Sequence, residues 1–334
     1  MEVTRNLDSH SWKRFVDQHP QGNIFHTPEM FEVFKRTRGY EPKLWAALGT
    51  DGEVLAIFLP VQISLLQGPL RAFTSRAVAF GSVVCLPDSR GHAALGMLLK
   101  SYTQEARNSP LFTELRNLAD LQDTYSILHE HGFQYEDHLN FLIDLHRPLS
   151  DVWNEIRSNA RRNIKKAQGS GVQIEELRSP EEIATAYDLL KKVYKRIQVP
   201  LPDISLFQSA FDVLSPKSML KILLAKLQNE TIGVLCLLLY NGVATYWYTG
   251  TLREYTSYRA GELLVWQAME LGKQQGCHTF DFGGGGKPDE EYGVRDFKAK
   301  FGGKLVNYGR NIYIHSPLLL KLSRLAYRVF RRIL

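Results

Sequence analysis

The sequence predicts a mixed α/β fold written twice in tandem, and three correspondences between its halves carry that prediction. Residues 44–48, the turn Gly49-Thr50-Asp51-Gly52 and residues 54–63 read as a β-hairpin. Residues 220–227, Gln228-Asn229-Glu230-Thr231 and residues 232–240 read as the same device. The strand-like run 112–116 has a counterpart in 279–282, and 141–148, ending on Pro148, matches 311–317, ending on Pro317. All three offsets are roughly 170 residues, the length of an ordinary domain.

Helices are predicted between these strands. Residues 91–108 place Ala94, Leu95, Leu98, Leu99 and Tyr102 at helical spacing, and 121–131, 151–168, 180–198 and 261–275 read likewise. Each half thus holds a hairpin, strands and helices that do not alternate strictly, which predicts a mixed sheet rather than a doubly wound one. Pro148 can end a strand and Ser150 or Asp151 can cap the next helix, so a boundary is expected there. The expected units are 1–148, 149–317 and a terminal helix 318–334.

The 334 residues suffice for two domains, and 44% hydrophobic with 23% charged residues is a soluble globular composition. The net charge of +6 suits an anionic partner such as a nucleotide, tRNA or an acidic membrane face, without selecting among them. Cys85, Cys236 and Cys277 lie far apart, which argues against a disulfide framework and for a reducing compartment. The first residues lack the apolar stretch of a signal peptide, and the longest apolar run, 232–240, is of strand length. A cytoplasmic location is expected.

The run Phe280-Asp281-Phe282-Gly283-Gly284-Gly285-Gly286 holds four consecutive glycines. Such a run reads either as a flexible loop or as backbone that must turn sharply or approach a ligand. It is followed by Phe297-Lys298-Ala299-Lys300-Phe301-Gly302-Gly303, where lysines beside aromatic rings have partly desolvated charges that strengthen contact with an anionic group. A second basic feature is the segment 156–167, where Trp153, Ile156, Ala160, Ile164 and Ala167 make one apolar stripe and five cations occupy the other faces. That pattern fits a solvated helix face or a phosphate contact. The third is 318–334, which interleaves leucines with Lys321, Arg324, Arg328, Arg331 and Arg332 and has no acidic residue. Such a helix lies on an anionic membrane or docks on the protein's own core.

Other chemistries lack their motifs. His129-Glu130-His131 is not at the i, i+4 spacing of a zinc-binding helix, and no metal site is expected. There is no G-x-S-x-G elbow and no P-loop, and the glycine run lacks the following helix of a dinucleotide fold.

The Asp281-Phe282-Gly283-Gly284 strand end followed by Phe297-Lys298-Ala299-Lys300-Phe301-Gly302 resembles the FemAB/FemX peptidyltransferases, built from two GNAT-type acyltransferase domains. The similarity is clearest over 246–309, which opens on Tyr246-Trp247-Tyr248-Thr249-Gly250-Thr251. Ile24-Phe25-His26-Thr27-Pro28-Glu29-Met30, leading to Phe34-Lys35, also fits. The resemblance implies transfer of an aminoacyl group from tRNA to an amine of a diphosphate-bearing, peptidoglycan-type precursor, with no permanently bound cofactor. It places Lys298 at the reaction centre, Lys35 on the precursor's phosphates, and Glu114 in the segment of an acidic first-domain position. Tyr248, Asp281, Gly283, Gly284 and Phe297 are then expected to line the substrate site. The family's coiled-coil arm is missing. The usual GNAT acyl-CoA loop survives only as Ser257-Tyr258-Arg259-Ala260-Gly261, which makes Arg259 a further candidate. An acyl-CoA-dependent N-acyltransferase acting on a polysaccharide, lipid or protein amine is the alternative enzyme, and a non-catalytic binding factor on the same scaffold is the third reading.

Overall fold

The structure, a computed structural model, describes residues 1–64, 74–106 and 110–330. The ends of the helices expected at 91–108 and 318–334 lie outside the described residues. Within these bounds the chain forms two compact units, Met1–Asp137 with Tyr308–Leu334, and His138–Asn307.

The second unit is built on a seven-stranded sheet in the order Val172–Glu176, Leu220–Leu227, Glu230–Tyr240, Val243–Thr251, Thr279–Asp281, Leu139–Asp144 and Lys304–Asn307. The predicted hairpin is its centre, and its turn places Gln228 in the left-handed region. Every neighbouring pair is antiparallel except Val243–Thr251 with Thr279–Asp281, which are parallel and joined by the helix Ala260–Gln274. A crossover of this kind is what parallel strands require. The expected helix 151–168 is broken into Leu149–Glu155 and Ser158–Gly169, because Ile156 is extended and the Arg157 amide bonds the Lys300 carbonyl at 2.8 Å. Its apolar stripe is nevertheless buried at Ile156, Ala160, Ile164 and Ala167, while Arg157, Arg162, Lys165 and Lys166 are exposed.

The first unit carries the same plan in a more broken form. One sheet orders Glu2–Thr4, Trp45–Leu48, Val54–Phe58 and Val83–Cys85. The other orders Tyr40–Pro42, Val61–Ser64, Ser75–Ala79, Phe112–Arg116, Arg310–Ile314 and Gln134–Glu136. The hairpin's second strand is interrupted at Leu59-Pro60, since proline has no N–H to donate to a ladder. Again, among the described residues, a single pair is parallel, Ser75–Ala79 with Phe112–Arg116, and the helix Ser89–Glu105 lies between them in sequence.

The third correspondence has an unexpected outcome. Leu139–Asp144 and Arg310–Ile314 do hold equivalent positions, each beside the last strand of the parallel pair, but in the opposite units from those expected. Leu139–Asp144 pairs on both edges within the second unit and buries Phe141 and Ile143 in its core. The turn at Pro148 therefore lies inside the second unit, and residues 138 and 308 mark the real changes of unit. A proline after a strand marks a turn and carries no information on which sheet the strand joins. Four helices were not expected from the pattern: Ser9–Gln18, Pro28–Arg36, Ser205–Leu214 and Gly293–Lys298.

The strand assignment can be tested with fragments. Residues 138–307 expressed alone are expected to unfold cooperatively in urea. Residues 149–317 lack the strand that separates Thr279–Asp281 from Lys304–Asn307, and are expected to be insoluble or to show no cooperative transition.

Candidate functional site in the second unit

The parallel strands Val243–Thr251 and Thr279–Asp281 stay paired for only three residues, Val243 with Thr279, Ala244 with Phe280 and Thr245 with Asp281. Beyond Asp281 they part. The first strand continues to Thr251 along its other neighbour, with a register shift that leaves Trp247 unmatched. Bulges of this kind re-aim side chains and recur beside active sites. The second strand gives way to the glycine run, so a notch opens at its end.

The glycines are there for clearance. Gly283 has φ of 72°, and a Cβ at this position would stand 2.9 Å from the Tyr246 carbonyl oxygen. Gly284 has φ of 129°, a conformation that side-chain-bearing residues rarely adopt. A side chain at Gly283 would displace main chain, and one at Gly284 would hold a strained backbone.

Lys298 fills the notch. It ends the short helix Gly293–Lys298, is 6% exposed, and its Nζ donates to the Phe282 and Gly284 carbonyls, both at 2.6 Å. Its ammonium also lies 5.3 Å from the centre of the Tyr246 ring and 5.8 Å from that of Phe282. An ammonium has three N–H donors, so one remains beyond the two main-chain bonds. Burial pulls the Lys298 amine down to about 8, against the opposing pull of Asp281. Burial in turn pushes the Asp281 carboxyl above its usual range, against hydrogen bonds from Asn140 and the Gly283 amide and the charge of Lys298. Tyr246 is pushed up to about 12 by burial, so its hydroxyl stays neutral.

Asn140 ties these groups together, and sequence reasoning missed it. Its Nδ2 donates to Asp281 Oδ1 at 2.7 Å, while its Oδ1 accepts from the Gly284 amide at 2.9 Å and the Phe141 amide at 2.8 Å. The Gly283 amide donates to the same Asp281 oxygen at 2.7 Å. One buried side chain thus fixes both the carboxylate and the glycine loop. The only sequence signal was an asparagine at the start of an apolar strand, and it was assigned to the other unit.

The aromatic residues around Lys298 hold it from behind. Phe282 packs on Phe301 and Phe301 on Phe297, with ring centres 5.8 and 5.4 Å apart. A Cβ at Gly261, in the first turn of Ala260–Gln274, would stand 3.9 Å from the Phe297 ring, which brings the degenerate acyl-CoA loop beside the lysine box. At that helix start Arg259 is left-handed and its buried Nε has no hydrogen-bond partner. Glu262 in the first turn is buried and accepts from Asn163 Nδ2 at 2.7 Å.

Of the expected site residues, Asp281, Gly283, Gly284 and Lys298 therefore come together, with Phe297 as support. Tyr248 packs elsewhere, on Phe207 and Tyr194. Lys35 and Glu114 belong to the first unit. Lys35 is exposed at the end of Pro28–Arg36, in an open groove with Arg5, Asp8, Trp12 and Phe31. Glu114 is buried between Arg116 at 2.8 Å and Arg310 at 2.6 Å. Burial pushes its carboxyl up, but the two guanidinium charges prevail and hold it below the usual range, which makes it a weak proton acceptor. Among the described residues no three His, Cys, Asp or Glu side chains converge as a metal site would need.

Residues 154–298 match the family described as an acetyltransferase (GNAT) domain. No curated protein matches the sequence. Over the whole chain the structure superposes on FemX with a TM-score of 0.72 at 17% identity, covering 96% of this chain and 99% of that one. The fold is the tandem GNAT fold of FemX. L-PGS from Bacillus licheniformis is similar with a TM-score of 0.62, 13% identity and coverage of 97% and 99%. A tandem GNAT protein from the clavulanic acid biosynthesis pathway gives 0.58, 12% identity and coverage of 95% and 99%. The resemblance read from the Phe-Lys box is thus borne out in the fold, and the GNAT match makes the second unit an acyltransferase domain.

The depressed amine makes a signed prediction. Lys298 titrates from 10.5 in the unfolded chain to about 8 in the folded one, so between these values the unfolded state binds more protons. The stability difference between the parent and Lys298→Met should therefore move in favour of the parent as pH rises from 8 to 10.5. The expected change is on the order of 2–3 kcal/mol. Paired urea titrations across this range measure it, and a pH-independent difference contradicts the burial of a charged amine.

Proposed function

We propose that the chain moves an acyl or aminoacyl group from an activated ester or thioester onto an amine of a cell-envelope precursor. The observation that carries this reading is Lys298, a buried cation fixed by two carbonyls at the splayed ends of the parallel strands. Amide formation passes through a tetrahedral intermediate whose oxygen gains negative charge, and a preorganised donor at that oxygen lowers the barrier. The third N–H of Lys298 is such a donor. Its amine, near 8, also lies close to neutral pH, where a group exchanges protons efficiently with an attacking amine or a leaving oxygen. Asp281 and Asn140 act as positioning residues that hold the loop and the charge of Lys298. Lys35, exposed in its groove, is assigned to phosphate on the acceptor. Glu114 is assigned to orienting Arg116 and Arg310.

The donor divides this reading. The resemblance of the Asp281-Phe282-Gly283-Gly284 strand end and the Phe297-Lys298 box to the FemAB/FemX peptidyltransferases favours aminoacyl-tRNA. The alternative, acyl-CoA, is favoured by the start of Ala260–Gln274, where no side chain caps the first amides and Arg259 Nε lacks a partner. Against a diphosphate at that place stands Glu262, whose charge falls in the same turn. Aminoacyl-tRNA leads on this point, and acyl-CoA is the second reading.

The test pairs labelled aminoacyl-tRNA and labelled acetyl-CoA with nucleotide-linked and lipid-linked amino-sugar peptide precursors. Transfer from one donor identifies it, and transfer from neither in any combination removes the proposal. In the productive pair, Lys298→Met is expected to lower kcat by about 10²–10³-fold with KM little changed. Asn140→Leu is expected to lower kcat by about 10-fold or more and to shift the alkaline limb of the kcat profile, which a purely structural role leaves in place.

A further inference from the structure

The terminal helix Pro317–Phe330 presents three of its leucines to solvent. Leu320 is 5% exposed and seats the helix, whereas Leu318, Leu322 and Leu325 are 79%, 56% and 59% exposed. At 3.6 residues per turn these three fall within an arc of about 60°, on the side opposite Leu320. The core-docking alternative for this segment would bury that arc, and the structure buries the other one. Large apolar side chains aligned on an exposed face mark a surface that another phase or molecule covers.

We propose that this face lies on an anionic lipid surface. Charge selects the occupant. Residues 317–334 carry Lys321, Arg324, Arg328, Arg331 and Arg332 and no acidic residue, so a second copy of the helix would meet only like charge. An anionic bilayer takes the leucines into its acyl boundary and the cations at its headgroups. The 14 residues of the helix span about 21 Å at 1.5 Å per residue, less than the roughly 30 Å of a hydrocarbon core. Among the described residues no helix is long and apolar enough to cross a membrane. The helix therefore lies along the surface. Ile314, at the end of the preceding strand and 45% exposed, lies next to it in sequence.

Flotation of the full-length protein with vesicles tests this without any acyl donor, so its failure leaves the acyl-transfer reading standing. Phosphatidylcholine vesicles with about 30 mol % phosphatidylglycerol are expected to bind at least about tenfold more protein than phosphatidylcholine alone, with binding falling severalfold in high salt. The triple variant Leu318→Glu, Leu322→Glu, Leu325→Glu should bind no better than background. Its melting temperature should be unchanged, because the three side chains are already solvated. Three results overturn the proposal: no preference for anionic vesicles in the parent, a variant that binds within about twofold of it, or a parent that fails to float and elutes as a dimer the variant dissociates.

Discussion

Two hydrogen bonds from one ammonium group organise the second unit. Moving a charged amine out of water is costly unless polar partners replace its hydration. Here the carbonyls of Phe282 and Gly284 and the faces of Tyr246 and Phe282 provide that replacement. The bonds run both ways in their effect. They partner a charge that burial disfavours, and they hold the Gly284 carbonyl of a loop whose amides bond Asp281, Asn140 and Leu139. Without Lys298 the carbonyls at the strand end would lose their buried donor, and the glycine run would keep only the bonds of its amides to Asp281, Asn140 and Leu139.

The rest of the second unit follows from placing that group. The lysine must arrive on a short helix, because Phe297 and Phe301 on either side of it have to reach the same aromatic cluster as Phe282. The loop must be glycine where it passes the Tyr246 carbonyl. The carboxylate that balances the charge must be held by something other than the lysine itself. That task falls to Asn140 and the Gly283 amide, which both donate to one oxygen of Asp281. Hydrogen bonds to the ionised carboxylate oppose the effect of burial, so the pair stays balanced without direct contact.

Much of this was legible in the sequence for a physical reason. Hairpins, parallel-pair strands and the glycine-lysine box are local: they depend on alternation, turn chemistry and backbone clearance within a few residues. Residues 112–116 were expected as a strand and form one with the same ends. What was not legible is what depends on partners distant in sequence. Nothing in residues 139–144 says which sheet they join, so Asn140 was invisible as a site residue. Tyr248 sits two positions from Tyr246, and a bulge at Trp247 separates the surroundings of the two rings. The resemblance places Glu114 at an acidic position, but its pairing with Arg310, nearly 200 residues on, has no signal in the sequence around it. The helix Gly293–Lys298 is too short for a period to reveal it.

The strand Arg310–Ile314 has a bearing on how the molecule is made. In the first unit it lies between Phe112–Arg116 and Gln134–Glu136, pairing with both. A chain leaving the ribosome delivers residues 1–137 early, yet their six-stranded sheet stays split until residues 310–314 have followed. Residues 138–307 are contiguous and have every strand they need before that. Domains usually complete themselves from the N-terminus onward. Here the order is reversed: of the two units the one begun first is finished last, and during synthesis two unpaired strand edges wait for residues 310–314.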